Sequence, residues 1–367
     1  MALSKADDYP IHQTSEPIAY AGTDRNFYDR YFFNGYDQAG ETFFAAAFGV
    51  YPHLNIADAA FCVVRDGVQT CLHASAWLGD RMDLAVGPIA IEVLLPLQRL
   101  KLIVNAPDQG LSAELVFEGR AFPIEEPRFI RRNGPRASMD YTRLTQNGRW
   151  SGWLELDGKR IDVRGFTGTR DRSWGVRPVG ARDAQEIVPP AAPQFFWIWS
   201  PANFAKGSFF FHSNEDAGGH AWNRRAVWAR DGAGPSDLAE FADCAIAIDY
   251  RAGTRHARRA VVTLTDPHGA REVIFEPAFE FFMLGLGYGH PKWAHGLAHG
   301  ALAVEREDLE LADIDRRLPQ HLHVQAFCKV TSKSDGAAEE VGAGILEQLV
   351  IGPHAPSGFT QILDMAR

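Results

Sequence analysis

The segment GFTGTRDRSWGVR, residues 165–177, places an acidic side chain, Asp171, between Arg170 and Arg172. A carboxyl group that moves from water into an aromatic cavity loses hydration, which raises its pKa and prepares it to act as a general acid. The guanidinium groups of Arg172 or Arg177 would oppose this shift and set the final pKa. Alternatively, Asp171 forms a buried structural salt bridge with a neighbouring arginine or caps a turn. Both roles stay open at this point.

The direction in which Asp171 points follows from the hairpin upstream of it. Asp157-Gly158 is a two-residue turn signal in WLELDGKRIDV, and pairing outward from it places the aliphatic side chains on one face, the interior. Because side chains alternate along a strand, the same count predicts that Asp171 points inward, whereas its flanking arginines and Trp174 point outward. A β-bulge at Gly165 or Gly168 would reverse this count and turn both arginines into the cavity, which then becomes an anion receptor.

Aromatic side chains concentrate in QFFWIWS, residues 194–200, and in SFFFHSN, residues 208–214. Phe195, Trp197 and Trp199 alternate with Phe and Ile, so both faces of this strand must be buried or face a cavity. They form either the wall of a site for a planar or isoprenoid molecule or ordinary barrel core. His212 is a candidate base or binding residue on the next strand, and a satisfied core histidine is the alternative.

Two histidine groups have spacings that can bind zinc, HPKWAHGLAHG at 290–300 and LPQHLHVQ at 318–325. Pro and Gly interrupt any regular helix through the first group, and no Cys or carboxylate is placed with it. The candidate ligands are His290, His295, His299, His321 and His323. We predict no metal site here. The chain also has no GxSxG, P-loop, HExxH or post-strand GxGxxG motif, which argues against hydrolase, kinase and dehydrogenase functions.

The sequence pattern predicts that almost all of the elements that position these residues are β-strands. Short apolar runs such as AFCVVRD and LKLIVNA alternate with Asn-Gly and Asp-Gly turn signals about every ten residues, which is typical of antiparallel sandwiches and barrels. The chain has 367 residues, of which 46% are hydrophobic and 11% aromatic, enough for two domains with large apolar interiors. We predict an all-β protein of two antiparallel barrels with few short helices, one of them around 305–317.

The Pro- and Ala-rich segment PVGARDAQEIVPPAAP marks a domain boundary. The predicted limits are an N-terminal barrel over 1–177, a linker over 178–193 and a C-terminal barrel over 194–367. A second Asp-Gly turn, at 66–67, places Cys62 directly opposite Cys71. We expect two packed thiols rather than a disulfide in a reducing cytoplasm.

The formal net charge of −9 argues against nucleic acid as a partner, because phosphate binding needs a concentrated basic face. No window approaches the length of a transmembrane segment, and the N-terminus lacks the apolar core of a signal peptide. A cytoplasmic location is therefore expected, and a homodimer is left open.

Three motifs together resemble a known group of proteins. The core RDRSWGVR, the aromatic QFFWIWS after the Pro-rich segment and the closing GAGILEQLVIGPH are similar to the hydroxyneurosporene synthase (carotenoid 1,2-hydratase) and AttH-like superfamily. The resemblance implies tandem lipocalin-like, calycin-type barrels. It also implies activities such as hydration of carotenoid double bonds or of kievitone and cyclisations of the Diels-Alder type, without metal or organic cofactor.

In the hydratases the motif reads approximately Tyr-His-Asp-His-Asn-Trp-Gly, and its aspartate is the proposed proton donor. Asp171, Trp174 and Gly175 match this pattern, whereas the tyrosine, both histidines and the asparagine are replaced by Thr169, Arg170, Arg172 and Ser173. This sequence therefore has the acidic residue of the motif but different residues on both sides of it.

The sequence favours a cofactor-independent hydratase, dehydratase or cyclase that acts on a hydrophobic terpenoid, polyketide or aromatic molecule. Asp171 would be the general acid, Arg172 or Arg177 would set its pKa, and Trp174, Trp197 and Trp199 would wall the site and stabilise a developing cation. The alternative is a non-catalytic lipocalin-like carrier or sensor of a hydrophobic ligand.

Overall fold

The structure is a computed structural model that describes residues 8–9, 24–183, 192–266, 269–334, 336 and 338–367. The chain forms two compact units, one built from residues 1–190 and 285–310 and the other from 191–284 and 311–367. Residues 285–310 therefore belong to the first unit, although they lie far along the chain. Half of the linker predicted over 178–193, residues 184–191, lies outside the described residues.

The described chain consists of strands joined by short turns. The strands are β1 (Phe27–Tyr36), β2 (Thr42–Tyr51), β3 (Ile56–Arg65), β4 (Val68–Trp77), β5 (Ala85–Val86), β6 (Ile89–Leu95), β7 (Arg99–Ala106), β8 (Leu111–Gly119), β9 (Ile124–Glu125), β10 (Phe129–Asn133), β11 (Arg136–Leu156), β12 (Lys159–Asp162), β13 (Thr167–Val176), β14 (Phe195–Phe204), β15 (Gly207–Glu215), β16 (Ala221–Arg230), β17 (Ala239–Phe241), β18 (Asp243–Tyr250), β19 (Ala257–Asp266), β20 (Gly269–Phe282), β21 (Leu302–Glu310), β22 (Val324–Ser334) and β23 (Glu340–Ile351). Short 3₁₀ turns lie at Pro52–Leu54, Pro107–Gln109, Met283–Leu286, Pro319–His321 and Ala355–Ser357.

Each unit holds one antiparallel sheet, and the two sheets share a strand order. The first runs β21-β4-β3-β2-β1-β13-β11-β8-β7-β6-β5, with β9, β10 and β12 also paired to β11. The second runs β17-β16-β15-β14-β23-β22-β20-β19-β18. In the first sheet β1 lies between β2 and β13, and in the second β14 lies in the same way between β15 and β23. The prediction of two tandem lipocalin-like antiparallel barrels is confirmed.

The helix predicted around 305–317 is wrong. Residues 302–310 form β21, which pairs with β4 from Leu302 opposite Ala76 to Glu310 opposite Val68. Backbone hydrogen bonds to a partner strand more than 200 positions earlier outweigh the helix propensity of EREDLELAD. In the described part of the chain, no helix has the length and hydropathy needed to cross a membrane.

Both Asp-Gly hairpins form as predicted. Asp66, Gly67, Asp157 and Gly158 all have positive φ, from 49° to 84°, which is the conformation of a tight turn that matches the twist of its strands. Cys62 lies opposite Cys71, and both thiols are buried and free. Burial raises the pKa of the Cys62 thiol well above its usual range, which makes it a poor nucleophile.

The predicted orientation of Asp171 is wrong, because the alternation of side chains is reset between β12 and β13. Val163 and Phe166 both lie in the apolar core of the first barrel, three positions apart, and Gly165 between them has φ of 91°. A spacing of three instead of two moves the even-numbered residues of β13 to the inside. Arg170 and Arg172 are accordingly 0% exposed, and they lie opposite the core residues Phe33 and Tyr31.

Candidate active site

The outer face of the first barrel carries polar side chains across six neighbouring strands. These residues alternate with those that enter the apolar core, such as Tyr31 and Phe33 on β1 and Phe61 on β3. From β11 to β4, the directly paired residues of one row are Arg143, Ser173, Arg30, Gly49, Asp58 and Ser75. Residues on the same face of paired strands lie close enough to interact, so the sheet register itself assembles this row.

Residues 285–300 of the same unit lie over this row and fix its charged groups. His295 Nδ1 accepts hydrogen bonds from Arg30 at 3.1 Å and from Arg177 at 3.2 Å. Its Nε2 then carries the proton and donates to the carbonyl oxygen of Leu286 at 2.7 Å. A neutral His295 is therefore held between two arginines, and it aligns them along the sheet.

Asp58 contributes a buried carboxyl group to this row. Its Oδ1 accepts from the Tyr51 hydroxyl at 3.0 Å and its Oδ2 from the Gly296 N–H at 2.7 Å. Gly49 permits this arrangement, since a Cβ there would lie 2.5 Å from the Tyr51 hydroxyl oxygen. Burial raises the pKa of Asp58 above its usual range, although Arg30 and both hydrogen bonds act in the opposite direction. The carboxyl group thus keeps its proton to a higher pH than an ordinary aspartate does.

His73 contributes a buried imidazole next to Asp58. It lies on β4 two residues from Ser75, the partner of Asp58, so it is the diagonal neighbour of Asp58, about 7 Å away across the strand pair. The imidazole is 2% exposed and stacks on the ring of Trp293 at 5.4 Å. Burial lowers the pKa of His73, although Glu307 opposes this. His73 is therefore neutral at pH 7 and able to accept a proton.

Glu307 joins His73 to a second histidine. Its Oε2 lies 2.9 Å from His290 Nε2 and 3.6 Å from His73 Nε2, and the ligand atoms of these three residues lie within 4.8 Å of one another, as in a metal site. However, His290 Nδ1 accepts the backbone N–H groups of Lys292 at 3.0 Å and Trp293 at 2.8 Å. Its Nε2 therefore carries the proton and donates it to Glu307, so the donor set does not suit a cation.

A small cavity of about 10 Å³ lies between these side chains, enough for about one water molecule. Its lining includes Arg30, Asp58, His73 and Trp293. Among the described residues, Arg30 Nε and His299 Nε2 are buried atoms without a hydrogen-bond partner, and His73 Nε2 has only the long contact with Glu307 Oε2 at 3.6 Å. Buried polar atoms are normally paired, so these atoms around one cavity indicate a place where a water molecule or substrate oxygen binds.

The residues predicted in the 165–177 segment separate onto the two faces of β13. Asp171 is half-buried on the outer face opposite Phe32 and Thr145, and it interacts electrostatically with Arg143. Arg172 points to the inner face, where it pairs with Asp29 at 2.5 Å. Trp174 shares that inner face, opposite Asp29. Because Asp171 and Arg172 lie on opposite faces, they form no common site.

Arg177 is the member of that segment that reaches the candidate site. Its guanidinium lies 4.5 Å from the ring of Tyr28 and 5.4 Å from that of Tyr288, and it donates to His295. The predicted role beside Asp171 is thus replaced by a role beside His295 and Arg30.

The predicted ligand wall belongs to the second unit. Trp197, Trp199 and His212 are buried, and Phe195 is half-buried. Phe196 and Ile198 enter the apolar core of that barrel, whereas Trp197 and Trp199 share its outer face with His212. Both faces of the strand are therefore covered, as predicted. His212 Nε2 lies 3.0 Å from the Asn223 side-chain oxygen.

Sequence reasoning missed Asp58, His73 and Glu307. The first two were within reach, because the hairpin at 66–67 that pairs Cys62 with Cys71 also places Asp58 opposite Ser75 and His73 opposite Ala60, all on one face. Glu307 could not be found in this way, because it lay within the expected helix and joins the first unit only through the pairing of β21 with β4.

Comparison with solved structures shows the same fold in proteins of low identity. An AttH-like protein from Nitrosomonas europaea has a TM-score of 0.53 and 14% identity, with 94% of this chain and 96% of that one covered. CghA has a TM-score of 0.52 and 11% identity, covering 90% and 89%. Kievitone hydratase from Nectria haematococca has a TM-score of 0.51 and 9% identity, covering 88% of each chain.

These neighbours confirm, at the level of the fold, the resemblance to the hydratase and AttH-like superfamily. No curated protein sequence matches the chain. Residues 3–360 match the profile of a family of unknown function, DUF8625. Since the match extends over nearly the whole sequence, the chain belongs to the family of unknown function DUF8625.

Proposed function

We propose that the chain is a cofactor-independent lyase that adds water to, or removes it from, a hydrophobic small molecule. The observation that carries this proposal is the one-water cavity between Asp58, whose pKa burial raises, and His73, whose pKa burial lowers. An acid that keeps its proton and a base that stays neutral are the pair that addition of water needs. Kievitone hydratase, among the proteins of similar fold, is a hydratase by name.

In the forward direction, Asp58 gives its proton to one carbon of a double bond, which is the α-carbon when the double bond is conjugated to a carbonyl group. His73 takes a proton from the water in the cavity, whose oxygen bonds to the other carbon. Transfer of that proton from His73 back to Asp58 restores both groups, and one water molecule is consumed. The reverse sequence is dehydration. Arg30 Nε, without a partner in the described structure, is placed to donate to an oxygen that becomes negative.

The cavity accommodates the water or a substrate hydroxyl rather than a carbon skeleton. Trp293 and Leu297 supply apolar walls next to it, and they suit a terpenoid, polyketide or aromatic body. Glu307 Oε2, which also lies 2.9 Å from His290 Nε2, lies 3.6 Å from His73 Nε2 and helps to orient the imidazole. A cytoplasmic location and a homodimer stay predictions.

The test is mass spectrometry of purified protein incubated in ¹⁸O-water with a panel of unsaturated and hydroxylated terpenoids, polyketides and polyphenols. We expect ¹⁸O incorporation into one substrate class. Asp58→Asn and His73→Gln should each lower the rate about 10²- to 10⁴-fold, the usual contribution of a positioned acid or base.

Asp171→Asn is the matched control, because it makes the same Asp-to-Asn substitution on the same outer face but outside the cavity. It should retain wild-type turnover. Loss of turnover in Asp171→Asn with full activity in Asp58→Asn would overturn the assignment of the acid. A panel member that binds tightly without incorporation would instead favour a non-catalytic carrier.

A further inference from the structure

A second polar site lies inside the first barrel, on the opposite face of β13. Arg170 and Arg172 enter the apolar core there, and both are 0% exposed. The chain's own residues Asp8 and Tyr9 occupy the space in front of them. Arg170 Nη1 donates to Asp8 Oδ1 at 2.5 Å, and Arg172 Nη2 donates to the Tyr9 carbonyl oxygen at 2.7 Å.

The remaining contacts of this dipeptide are also hydrogen bonds from the barrel. The Leu97 N–H donates to Asp8 Oδ2, and the Tyr31 hydroxyl donates to the Asp8 carbonyl oxygen. The barrel therefore supplies donors to a carboxylate and to two carbonyl oxygens beside it. This is the pattern of a binding site for an acid that carries amide or keto groups.

The donors are held in place by groups other than Asp8. Arg172 pairs with Asp29 on β1 at 2.5 Å, and its guanidinium lies 3.9 Å from the ring of Tyr31. Arg170 Nε donates to the Gln146 side chain at 2.7 Å. Among the described residues, Arg170 Nη2 is buried without a hydrogen-bond partner. The site is thus built on rigid strands and keeps one unused donor.

Leu97 adds independent evidence for a built site. Its φ is 62°, in the left-handed region that non-glycine residues rarely adopt. This conformation aims its N–H at the carboxylate. Strained backbone of this kind persists where the surrounding structure holds it, and it concentrates at binding sites.

Charge balance decides what the site accepts. Asp29 is a permanent strand partner for Arg172, but the only carboxylate within the described residues that pairs with Arg170 is that of Asp8. A guanidinium buried in an apolar barrel needs an anion, because an unpaired buried charge is strongly unfavourable. If Asp8 leaves, another carboxylate must replace it.

We propose that this end of the first barrel is a binding site for a small peptide-like carboxylic acid, and that Asp8 and Tyr9 occupy it as an internal ligand. The site is separate from the acid–base site, which lies on the outer face. An external acid must compete with a segment of the same chain, whose effective concentration is in the millimolar range for short tethers.

Removal of the internal carboxylate tests the proposal. Asp8→Gly should bind N-acetyl-aspartic acid amide at least tenfold more tightly than N-acetyl-asparagine amide, which has the same shape without the charge. Wild type should bind the acid at least tenfold more weakly than the variant does, because Asp8 competes. Calorimetric titration measures both ratios.

Two controls distinguish the site from general charge effects. Asp157→Gly removes the carboxylate that pairs with the surface residue Arg306 at 2.5 Å, and it should gain no affinity for the acid. Adding Arg170→Gln to Asp8→Gly should abolish the preference for acid over amide. If Asp8→Gly does not fold alone, refolding in the presence of the acid should recover it and the amide should not. Equal binding or equal rescue by the two probes would overturn the proposal.

Discussion

The two barrels treat a carboxyl group on the outer face in opposite ways. In the first, Asp58 accepts one hydroxyl and one backbone N–H, and burial raises its pKa. In the second, Glu347 Oε1 accepts from Trp197 at 3.1 Å and lies 2.7 Å from His323 Nε2, and its Oε2 accepts from Gln325 at 2.7 Å. Burial alone would raise the pKa of Glu347 as well, but these neighbours lower it.

The difference shows that strand order does not determine the chemistry of an outer face. The number and charge of the hydrogen-bond donors around a buried carboxyl group decide whether its pKa is raised, so that it keeps its proton, or lowered, so that it remains ionised. Asp58 has a raised pKa and lies beside a cavity, as the proposed proton donor requires. Glu347 is set up as the centre of a structural network, which the predicted ligand wall helps to form through Trp197.

The largest effect is expected from the buried arginines of the two barrels. Asp29 and Arg172 are both 0% exposed, whereas Asp364, the partner of Arg255, is 28% exposed. Asp29→Asn should lower the free energy of unfolding by about 3–5 kcal/mol, because it leaves a buried charge uncompensated. Asp364→Asn should cost about 1 kcal/mol, since Arg255 also donates to backbone carbonyls.

Urea unfolding followed by tryptophan fluorescence measures both changes. Equal losses in the two variants would show that the arginine pairs are equivalent, contrary to their burial.

Acid should weaken the second barrel through Glu280. Burial alone would raise its pKa, but His256, Arg316 and Arg251 hold it at about 2. Because the folded pKa lies below the unfolded one, this stability is present above the unfolded pKa and is lost as pH falls from about 4.5 toward 2, for a total of about 3 kcal/mol. Glu280→Gln should remove a similar amount at pH 7 and flatten the acid limb. Urea midpoints measured between pH 7 and 2 test this prediction. If the loss of stability at acid pH is the same in Glu280→Gln as in wild type, Glu280 is not its source.

Glu347→Gln should lower the free energy of unfolding by about 1–3 kcal/mol at pH 7, because the donors around it lose a charged acceptor while burial keeps them from water. Its lowered pKa means that this stability also fades as pH falls. The same urea titration at pH 7 and 4 measures the loss. A neutral result would mean that this network is not structural.

The smallest effect is expected for Asp58→Asn, within about 1 kcal/mol of wild type and on the stabilising side at pH 7. A raised folded pKa means that ionised Asp58 costs stability, and this cost disappears as pH falls through that pKa. Thermal melts at pH 7 and 5 should show the gain shrinking at the lower pH. A loss comparable to that of Glu347→Gln would remove the contrast between the two faces.

Much of the fold was readable from local sequence signals. The Asp-Gly turns at 66–67 and 157–158 fixed two hairpins and their registers, since positive φ at both turn positions suits these residues. The aromatic run at 194–200 correctly predicted a strand that is covered on both faces. The count of alternating side chains gave the wrong result at one turn, because an extra residue near Gly165 places Asp171 on the outer face and its flanking arginines on the inner face.

The candidate site was less predictable because its members are distant in the sequence. Asp58 and His73 share one hairpin, but His290, His295 and Glu307 come from the last third of the chain. The two histidines lay in a histidine-rich segment that Pro and Gly interrupt, whereas Glu307 lay in an expected helix, and the function of each depended on where its segment packed. The pairing of β21 with β4 placed it over the first barrel.

The sequence by itself determined the strands, their turns and the all-β class, because these follow from alternation and turn chemistry within a few residues. Only the tertiary structure decided which acid lies in a cavity, which arginines are buried and which histidines face them. Those outcomes depend on pairing between strands far apart in the chain and on the loss of water around each group.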